Sequence, residues 1–193
     1  MRRAEIQRTT RETAISLLLD LDGSGRSDVK TGIGFLDHMI ATLARFSRFD
    51  IDLSCKGDLH IDDHHTAEDC ALALGQALDQ ALGDRKGIER FAHAYAPLDE
   101  ALARAVIDLS GRPFPKIDLK FVRETLGTIA TENLTHFLQS LAIAGRMALH
   151  VEVLSGDNDH HKAEAAFKAV ALALRAAVKS DGSDVVPSEK GVL

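Results

Sequence analysis

The pentad His-His-x-x-Glu occurs twice, as His64-His65-Thr66-Ala67-Glu68 and as His160-His161-Lys162-Ala163-Glu164, 96 residues apart in a chain of 193. Imidazole nitrogens combined with a carboxylate oxygen form a donor set for divalent transition metals. On a helix, positions three and four residues apart share a face, so Glu68 can stand beside His64 or His65, and Glu164 beside His160 or His161. Neighbouring histidines diverge by about 100° around the helix axis. Such a pair is badly placed to grip one ion and well placed to reach two. The doubled pentad points to two metal centres drawing on both halves of the chain.

A third histidine repeats with the pentads. Phe35-Leu36-Asp37-His38-Met39 parallels Asn133-Leu134-Thr135-His136-Phe137, at an offset of 98. Upstream, Glu12 followed by Asp20-Leu21-Asp22-Gly23 parallels Glu100 followed by Asp108-Leu109-Ser110-Gly111. Each half reads as an acidic residue, an apolar run, a turn, a His helix and a His-His-x-x-Glu helix. A self-similar period of this kind fixes the architecture, and the chain divides into repeats spanning 1–92 and 93–193 within one catalytic domain. Six histidines (38, 64, 65, 136, 160 and 161) with Glu68 and Glu164 make eight potential ligands. Shared between two ions, they give three imidazoles and one carboxylate each, leaving an octahedral ion room for substrate and water. Donors of this type suit Mn, Fe, Co, Ni or Zn, and spacing alone does not choose among them. Asp63 and Asp159 precede the pairs as N-caps or as partners that fix a histidine tautomer.

The elements that must hold these groups follow from periodicity. Apolar positions at helical spacing predict helices over 35–46, 66–82 (stopped by Gly83), 131–148 and 162–179. Strands are expected over 13–21, running into a hairpin at Asp22-Gly23-Ser24-Gly25, and over 49–53, 101–109 and 149–154, with 115–122 extended. The tail from 180 to 193 reads as loop. Mixed strands and helices within each unit give an α+β fold of two ββαββα-like halves, each a sheet covered by helices.

Composition sets the outer limits. Hydrophobic content of 45% supports a core, and 27% charged residues with a mean hydropathy of −0.05 indicate a soluble protein. A net charge of −6 gives no general attraction to nucleic acid or anionic membranes. The N-terminal stretch lacks an apolar signal core and nothing approaches a membrane span, so a cytoplasmic location is expected. Cys55 and Cys70 form no metal-binding or disulfide pattern and read as buried thiols. His60, His93 and His150 have no counterpart in the repeat. Leu17-Leu18-Leu19-Asp20-Leu21-Asp22-Gly23 resembles the aspartate loop of haloacid-dehalogenase phosphatases, but its internal copy lacks the second carboxylate and explains a turn alone. Among the cations, Arg90, Arg112, Lys168 and Lys190 are candidates for holding an anion, Arg112 and Lys190 because turn and tail settings favour ligand contact.

Taken with Gly34-Phe35-Leu36-Asp37-His38-Met39, Gly57-Asp58-Leu59-His60, Gly111-Arg112-Pro113, Glu132-Asn133-Leu134, Phe167-Lys168-Ala169 and Pro187-Ser188-Glu189-Lys190-Gly191-Val192-Leu193, the two pentads resemble the imidazoleglycerol-phosphate dehydratase family over almost the whole chain. The resemblance implies a duplicated fold of the ribosomal protein S5 domain 2-like type and two Mn2+ ions on the eight residues named above. It also implies sites shared between subunits of a homo-oligomeric 24-mer. It places Glu12, Arg90, Arg112, Lys168, Ser188 and Lys190 at substrate contacts. Catalytic work would fall to Glu12, His64, His65, Glu68, His160, His161 and Glu164. Two positions depart from the family's usual pattern, Thr42 for an amide residue and Phe46-Ser47 for His-Gly.

The implied chemistry is dehydration of a phosphorylated imidazole substrate in histidine biosynthesis. The proton to be lost adjoins no carbonyl, so direct abstraction is hard. A substrate imidazolate held between two metal ions could expel the neighbouring hydroxide, leaving a diazafulvene whose adjacent C–H is acidic. Arg90, Arg112 and Lys190 would hold the phosphate through charge-assisted hydrogen bonds. The alternatives are a hydrolase with two water-bridged ions about 3.5–4 Å apart and a non-catalytic metal store, which would have closed coordination and no basic cluster nearby.

Overall fold

Alternation at period two begins near the N-terminus. Strands β1 (Arg3–Thr9) and β2 (Thr13–Asp20) bury every second side chain along most of their length, as strands do when one face of their sheet is covered. The computed structural model describes residues 2–193. After β2 come β3 (Ser27–Lys30), α1 (Gly34–Ser47), β4 (Asp50–Gly57) and α2 (His64–Leu82). The second half follows with β5 (Phe91–Leu98), β6 (Ala101–Asp108), β7 (Phe114–Asp118), a small β8–β9 ribbon (Thr125–Leu126 and Ile129–Ala130), α3 (Thr131–Ala144), β10 (Ala148–Ser155) and α4 (Asp159–Ala177).

The expected α+β class is what the chain adopts, with two four-stranded sheets ordered β1-β2-β4-β3 and β5-β6-β10-β7. In both, the last strand in that order pairs parallel with its neighbour and the remaining pairs are antiparallel. One detail differs from expectation: three strands of each four-stranded sheet, not two, precede the first helix of its half. The strands with no expected counterpart are β1 and β3 in the first half and β5 in the second, all but β3 long, while β7 falls within the stretch expected to be extended. An edge strand with little buried surface shows no alternation for a sequence reading to detect. β1 was hidden for a similar reason, since only Ala4 and Ile6 of that polar segment are buried.

The turn at Asp22–Gly25 closes no hairpin. β2 pairs with β1 and β4, and the turn instead carries the chain to β3. Asp50 organises it: Oδ1 accepts from the backbone N–H groups of Ser24, Gly25 and Arg26 at 2.8, 3.0 and 2.9 Å, and Oδ2 takes the Arg26 guanidinium at 2.8 Å. A Cβ on Gly23 would come within 2.5 Å of the Asp50 carboxyl carbon. Burial alone raises the Asp50 pKa, but the bonds from Arg26 and Ser24 outweigh it and hold the carboxyl well below the usual range. Asp50→Asn is therefore expected to lower unfolding free energy by about 1–3 kcal/mol at pH 7. A carboxyl with a depressed folded-state pKa stabilises above its unfolded value, near about 4, and that contribution fades as pH falls through the folded value. Urea titrations at pH 7 and pH 3 should show the deficit shrinking in acid; an equal deficit at both would mean the turn does not use the charge.

The helices lie between the sheets. α2 packs on β1 and β2, α4 on β5 and β6, and across the seam α1 meets α4 while α2 meets α3. Small residues allow the close approach: a Cβ on Gly75 would sit 2.7 Å from the Ala144 Cβ and 2.8 Å from the Leu141 carbonyl oxygen. The seams α1/α4 and α2/α3 join one half of the chain to the other. Any group built across them draws on both halves.

Candidate metal centres and active site

The two pentads begin the two long helices. His64 opens α2, where its N–H donates to Asp62 Oδ1 at 2.9 Å, and the N–H of His160 donates to Asn158 Oδ1 at 2.9 Å. Asp63 holds the N-cap position of α2 as expected but makes no side-chain cap bond, and α4 is capped by Asn158, one residue earlier than expected. Asp63 instead accepts from the Ala130 N–H at 2.8 Å. Asp159, buried, accepts from the N–H groups of Val122 and Arg123 and pairs with Lys162. Both aspartates pin the start of their helix to the stretch that leads from β7 into α3, Asp63 from the other half and Asp159 from the same one. Neither contacts a histidine ring.

Within the chain, two three-residue groups bring metal-ligating atoms within 4.8 Å of one another: His64, Glu68 and His136, and His38, His160 and Glu164. Each spans a seam, with two residues from a pentad and one from the paired helix. His136 Nε2 lies 3.0 Å from Glu68 Oε1, and His38 Nε2 lies 3.1 Å from Glu164 Oε2. His64 stacks on His136 with centroids 4.9 Å apart. Two imidazoles and one carboxylate converging on one point fit a divalent transition metal.

His65 and His161 stand outside these groups. Their rings lie T-shaped to those of His64 and His160, at centroid distances of 6.0 and 6.2 Å. The expected set of three imidazoles per ion is thus not assembled from one chain, and the divergence expected of neighbouring helical positions is what separates them.

Several rings are held from behind. Nδ1 of His64 faces Asn133 Oδ1 at 2.9 Å, Nδ1 of His65 faces Asp58 Oδ2 at 3.0 Å, and Nδ1 of His161 faces Glu100 Oε2 at 2.7 Å. Asn133 and Asp58 were visible in the sequence only as motif members, and Glu100 only as the repeat partner of Glu12. The bonds from Asp58 and Glu100 raise the pKa of His65 and His161 respectively. The His161 bond, with those from the Asn158 and Asp157 N–H groups, lowers Glu100 to about 2. Glu164 is raised by burial but lowered more by Lys168 and His38.

Protonated imidazole does not ligate, so binding to these histidines must weaken as pH falls. Because both pKa values lie above the ordinary 6.5, the loss is expected to begin at a higher pH than for a free histidine. Calorimetric titration with Mn2+ should show at least about tenfold weaker binding at pH 6 than at pH 8. Affinity flat across that range would exclude these rings from the ligand set.

The residues expected to hold substrate are divided. Glu12, in the β1–β2 turn, puts Oε1 3.7 Å from His65 Nε2. Lys168, one turn along α4 from Glu164, donates to Glu164 Oε1 at 2.8 Å and sits 5.5 Å from the Phe46 ring centroid. Phe46 thus lies against a lysine that adjoins a candidate metal centre, and Thr42 is buried. Arg90, Arg112, Ser188 and Lys190 gather elsewhere. Arg90 pairs with Asp108 through Nε at 2.7 Å and donates from Nη1 to the Pro187 carbonyl at 2.8 Å. Ser188 Oγ accepts from the Lys190 N–H, and Leu193 lies against Gly111, next to Arg112. The Arg90 N–H donates to Ala177 at the C-terminal end of α4. From His160 to Ala177 the helix rises about 25 Å. The metal groups and the arginine–tail cluster therefore lie toward opposite ends of the helix layer.

Other groups take no part. His93 and His150 are exposed on the outer face of the second sheet, His150 beside Phe114. Asp22 of the phosphatase-like loop is paired with Arg2. Cys55 and Cys70 are free thiols.

The sequence profile of the imidazoleglycerol-phosphate dehydratase family matches residues 31–174. The enzyme of that name from Cereibacter sphaeroides is 55% identical, with all of both chains covered. The one from Phytophthora nicotianae is 59% identical over the whole of this chain, which spans 43% of the longer protein. The crystal structure of the Pyrococcus furiosus enzyme superimposes with a TM-score of 0.84 at 36% identity, covering 97% of this chain and all of the other. With a fold, a doubled ligand set and full-length relatives in agreement, the chain belongs to the imidazoleglycerol-phosphate dehydratase family.

Proposed function

We propose that this protein removes water from imidazoleglycerol phosphate to give imidazole acetol phosphate, a step of histidine biosynthesis, with the substrate ring held between two metal centres. The observation that carries the reading is the pair of two-imidazole, one-carboxylate groups at the seams, each accompanied by a further histidine facing elsewhere. His64, Glu68 and His136 would hold one ion and His38, His160 and Glu164 the other, with His65 and His161 completing centres of neighbouring subunits. Manganese suits this nitrogen–oxygen set. When bound, such ions supply Lewis acidity toward the nitrogens of a substrate imidazole.

The chain's own residues do the remainder. Glu12 places a carboxylate oxygen on the open side of His65, where it can take or return the proton that accompanies loss of water. Lys168, tied to Glu164, sets a positive charge beside the second centre. Arg90 and Arg112 offer planar donors and Lys190 a compact charge for the phosphate. A substrate a few ångströms long cannot bridge the roughly 25 Å between the two ends of α4. The site must then combine the metal end of one subunit with the arginine–tail end of another, which makes the protein a homo-oligomer and is consistent with a 24-subunit assembly. Among the described residues no helix is long and apolar enough to cross a membrane, consistent with work in the cytoplasm.

The direct test is to supply purified protein with Mn2+ and imidazoleglycerol phosphate and follow the product; no product at any divalent metal overturns the assignment. A second expected outcome concerns assembly. If subunits share ligands, chelation should shrink the particle by light scattering and Mn2+ should restore it. A chelated particle of full size would place each centre within one subunit.

A further inference from the structure

The two acidic positions that open β2 and β6 are equivalent in the fold. Glu12 directly precedes β2 and Glu100 directly precedes β6, in sheets of identical strand order. Each meets the second histidine of a pentad, yet at opposite nitrogens. Glu12 lies on the Nε2 side of His65, at 3.7 Å, and Glu100 binds Nδ1 of His161 at 2.7 Å. In the first half, Nδ1 is already taken by Asp58, carried in the longer connection of residues 58–63 between β4 and α2. The corresponding connection before α4, residues 156–158, is shorter, and no residue of it bonds His161. Glu100 fills that place and also accepts the N–H groups of Asp157 and Asn158 through Oε1, at 3.2 and 2.9 Å.

Resting on the metal-centre reading above, we infer that the acidic positions have diverged. Glu100 is a positioning residue that fixes the Nδ1–H tautomer of His161 and presents Nε2 as the ligating atom, Asp58 does the same for His65, and Glu12 alone of the equivalent pair is left free to face the reacting atoms. A carboxylate accepting from one ring nitrogen leaves the lone pair on the other and raises its basicity, and loss of such a partner typically weakens metal binding about 10–100-fold. The geometry in the first half is tight. A Cβ on Gly57 would meet the Thr66 hydroxyl at 2.0 Å, and Asp58 Oδ1 and Thr66 Oγ1 are both buried without a hydrogen-bond partner. Asp58 is held against α2 by close approach, with one oxygen committed to His65.

Glu100→Gln separates positioning from structural support. The amide oxygen can keep both backbone bonds, so the loop ahead of α4 survives, but the NH2 group then faces His161 Nδ1. That nitrogen must become the acceptor, the proton moves to Nε2, and the ligating lone pair is lost. The readout is the 15N spectrum of the histidine rings in metal-free protein at about pH 8.5, above the histidine range. Wild type should show Nδ1–H for His65 and His161, and Glu100→Gln should invert His161 alone. Mn2+ titration should find one class of site weakened about 10–100-fold, with Glu100→Asp recovering part of the loss. An unaltered His161 tautomer in Glu100→Gln, or Mn2+ affinity equal to wild type, overturns the inference. Neither readout depends on turnover, so a failed dehydratase assay would strike the activity reading and leave this one standing.

Discussion

Glu164→Ala is expected to lose close to one of every two bound metal ions and to reduce kcat by at least about a thousandfold. Glu164 lies 3.1 Å from His38 Nε2 and 3.4 Å from His160 Nε2, and its other oxygen holds Lys168. The carboxylate is the only anionic donor of that group, so its removal leaves neutral imidazoles facing an ion of charge two. Lewis-acid stabilisation is worth several kcal/mol, and each 1.36 kcal/mol is a factor of ten in rate. Glu68→Ala should have the same effect through the other centre. If the reaction needs both centres, the double variant should be little slower than either single one. The measurement is metal content by elemental analysis beside kcat at saturating Mn2+. Two ions retained in Glu164→Ala, or rate losses that multiply in the double variant, would contradict a reaction that needs both centres together.

Much of this site was legible in the sequence because its residues obey helical geometry. His64, Glu68, His160 and Glu164 sit four apart on two helices, and a three-residue group at each seam follows once α1 and α3 are added. The 100° divergence of neighbouring positions correctly separates His65 and His161 from their partners. What could not be read is contact between distant segments. Nothing near Asp58, Asn133 or Glu100 in sequence announces which ring nitrogen each will face, since loop length decides that. Asp63 stands at the N-cap of α2 and Asp159 one residue inside α4, but both side chains are used in tertiary bonds rather than in capping. The edge strands β1, β3 and β5 could not be read because a strand exposed on one side draws its register from its neighbour, whereas β7 falls in the stretch expected to be extended. The α4 helix also makes plain what spacing conceals: Lys168 and Arg90, both expected at the substrate, belong to different ends of the layer.

Deleting residues 187–193 is expected to reduce kcat/KM by at least about a thousandfold while two metal ions per chain stay bound. The tail has no helical or strand periodicity, and such a terminus ordinarily frays. Here it is seated. The Pro187 carbonyl takes Arg90 Nη1 at 2.8 Å, Ser188 closes a turn on Lys190 and Gly191, and Leu193 packs where any side chain on Gly111 would collide with it at 2.9 Å. Arg90 is thereby shared between Asp108 and the tail, so one guanidinium is aimed by two partners. Removing the tail takes away Ser188 and Lys190 and frees Arg90 from one of those partners, and charge-assisted bonds to a phosphate are each worth about 1.5–3 kcal/mol. A tail that closed over substrate would also exclude water from the site. The candidate metal ligands all lie toward the other end of the helices, which is why stoichiometry should not move. Lys190→Ala should fall between wild type and the truncation, mainly by raising KM, because a phosphate contact far from the reacting carbon binds ground state and transition state alike. Near-normal turnover by the truncated chain would send the search for the phosphate site to Lys168 and the α1/α4 seam, and loss of metal on truncation would show that the tail supports the fold rather than the substrate.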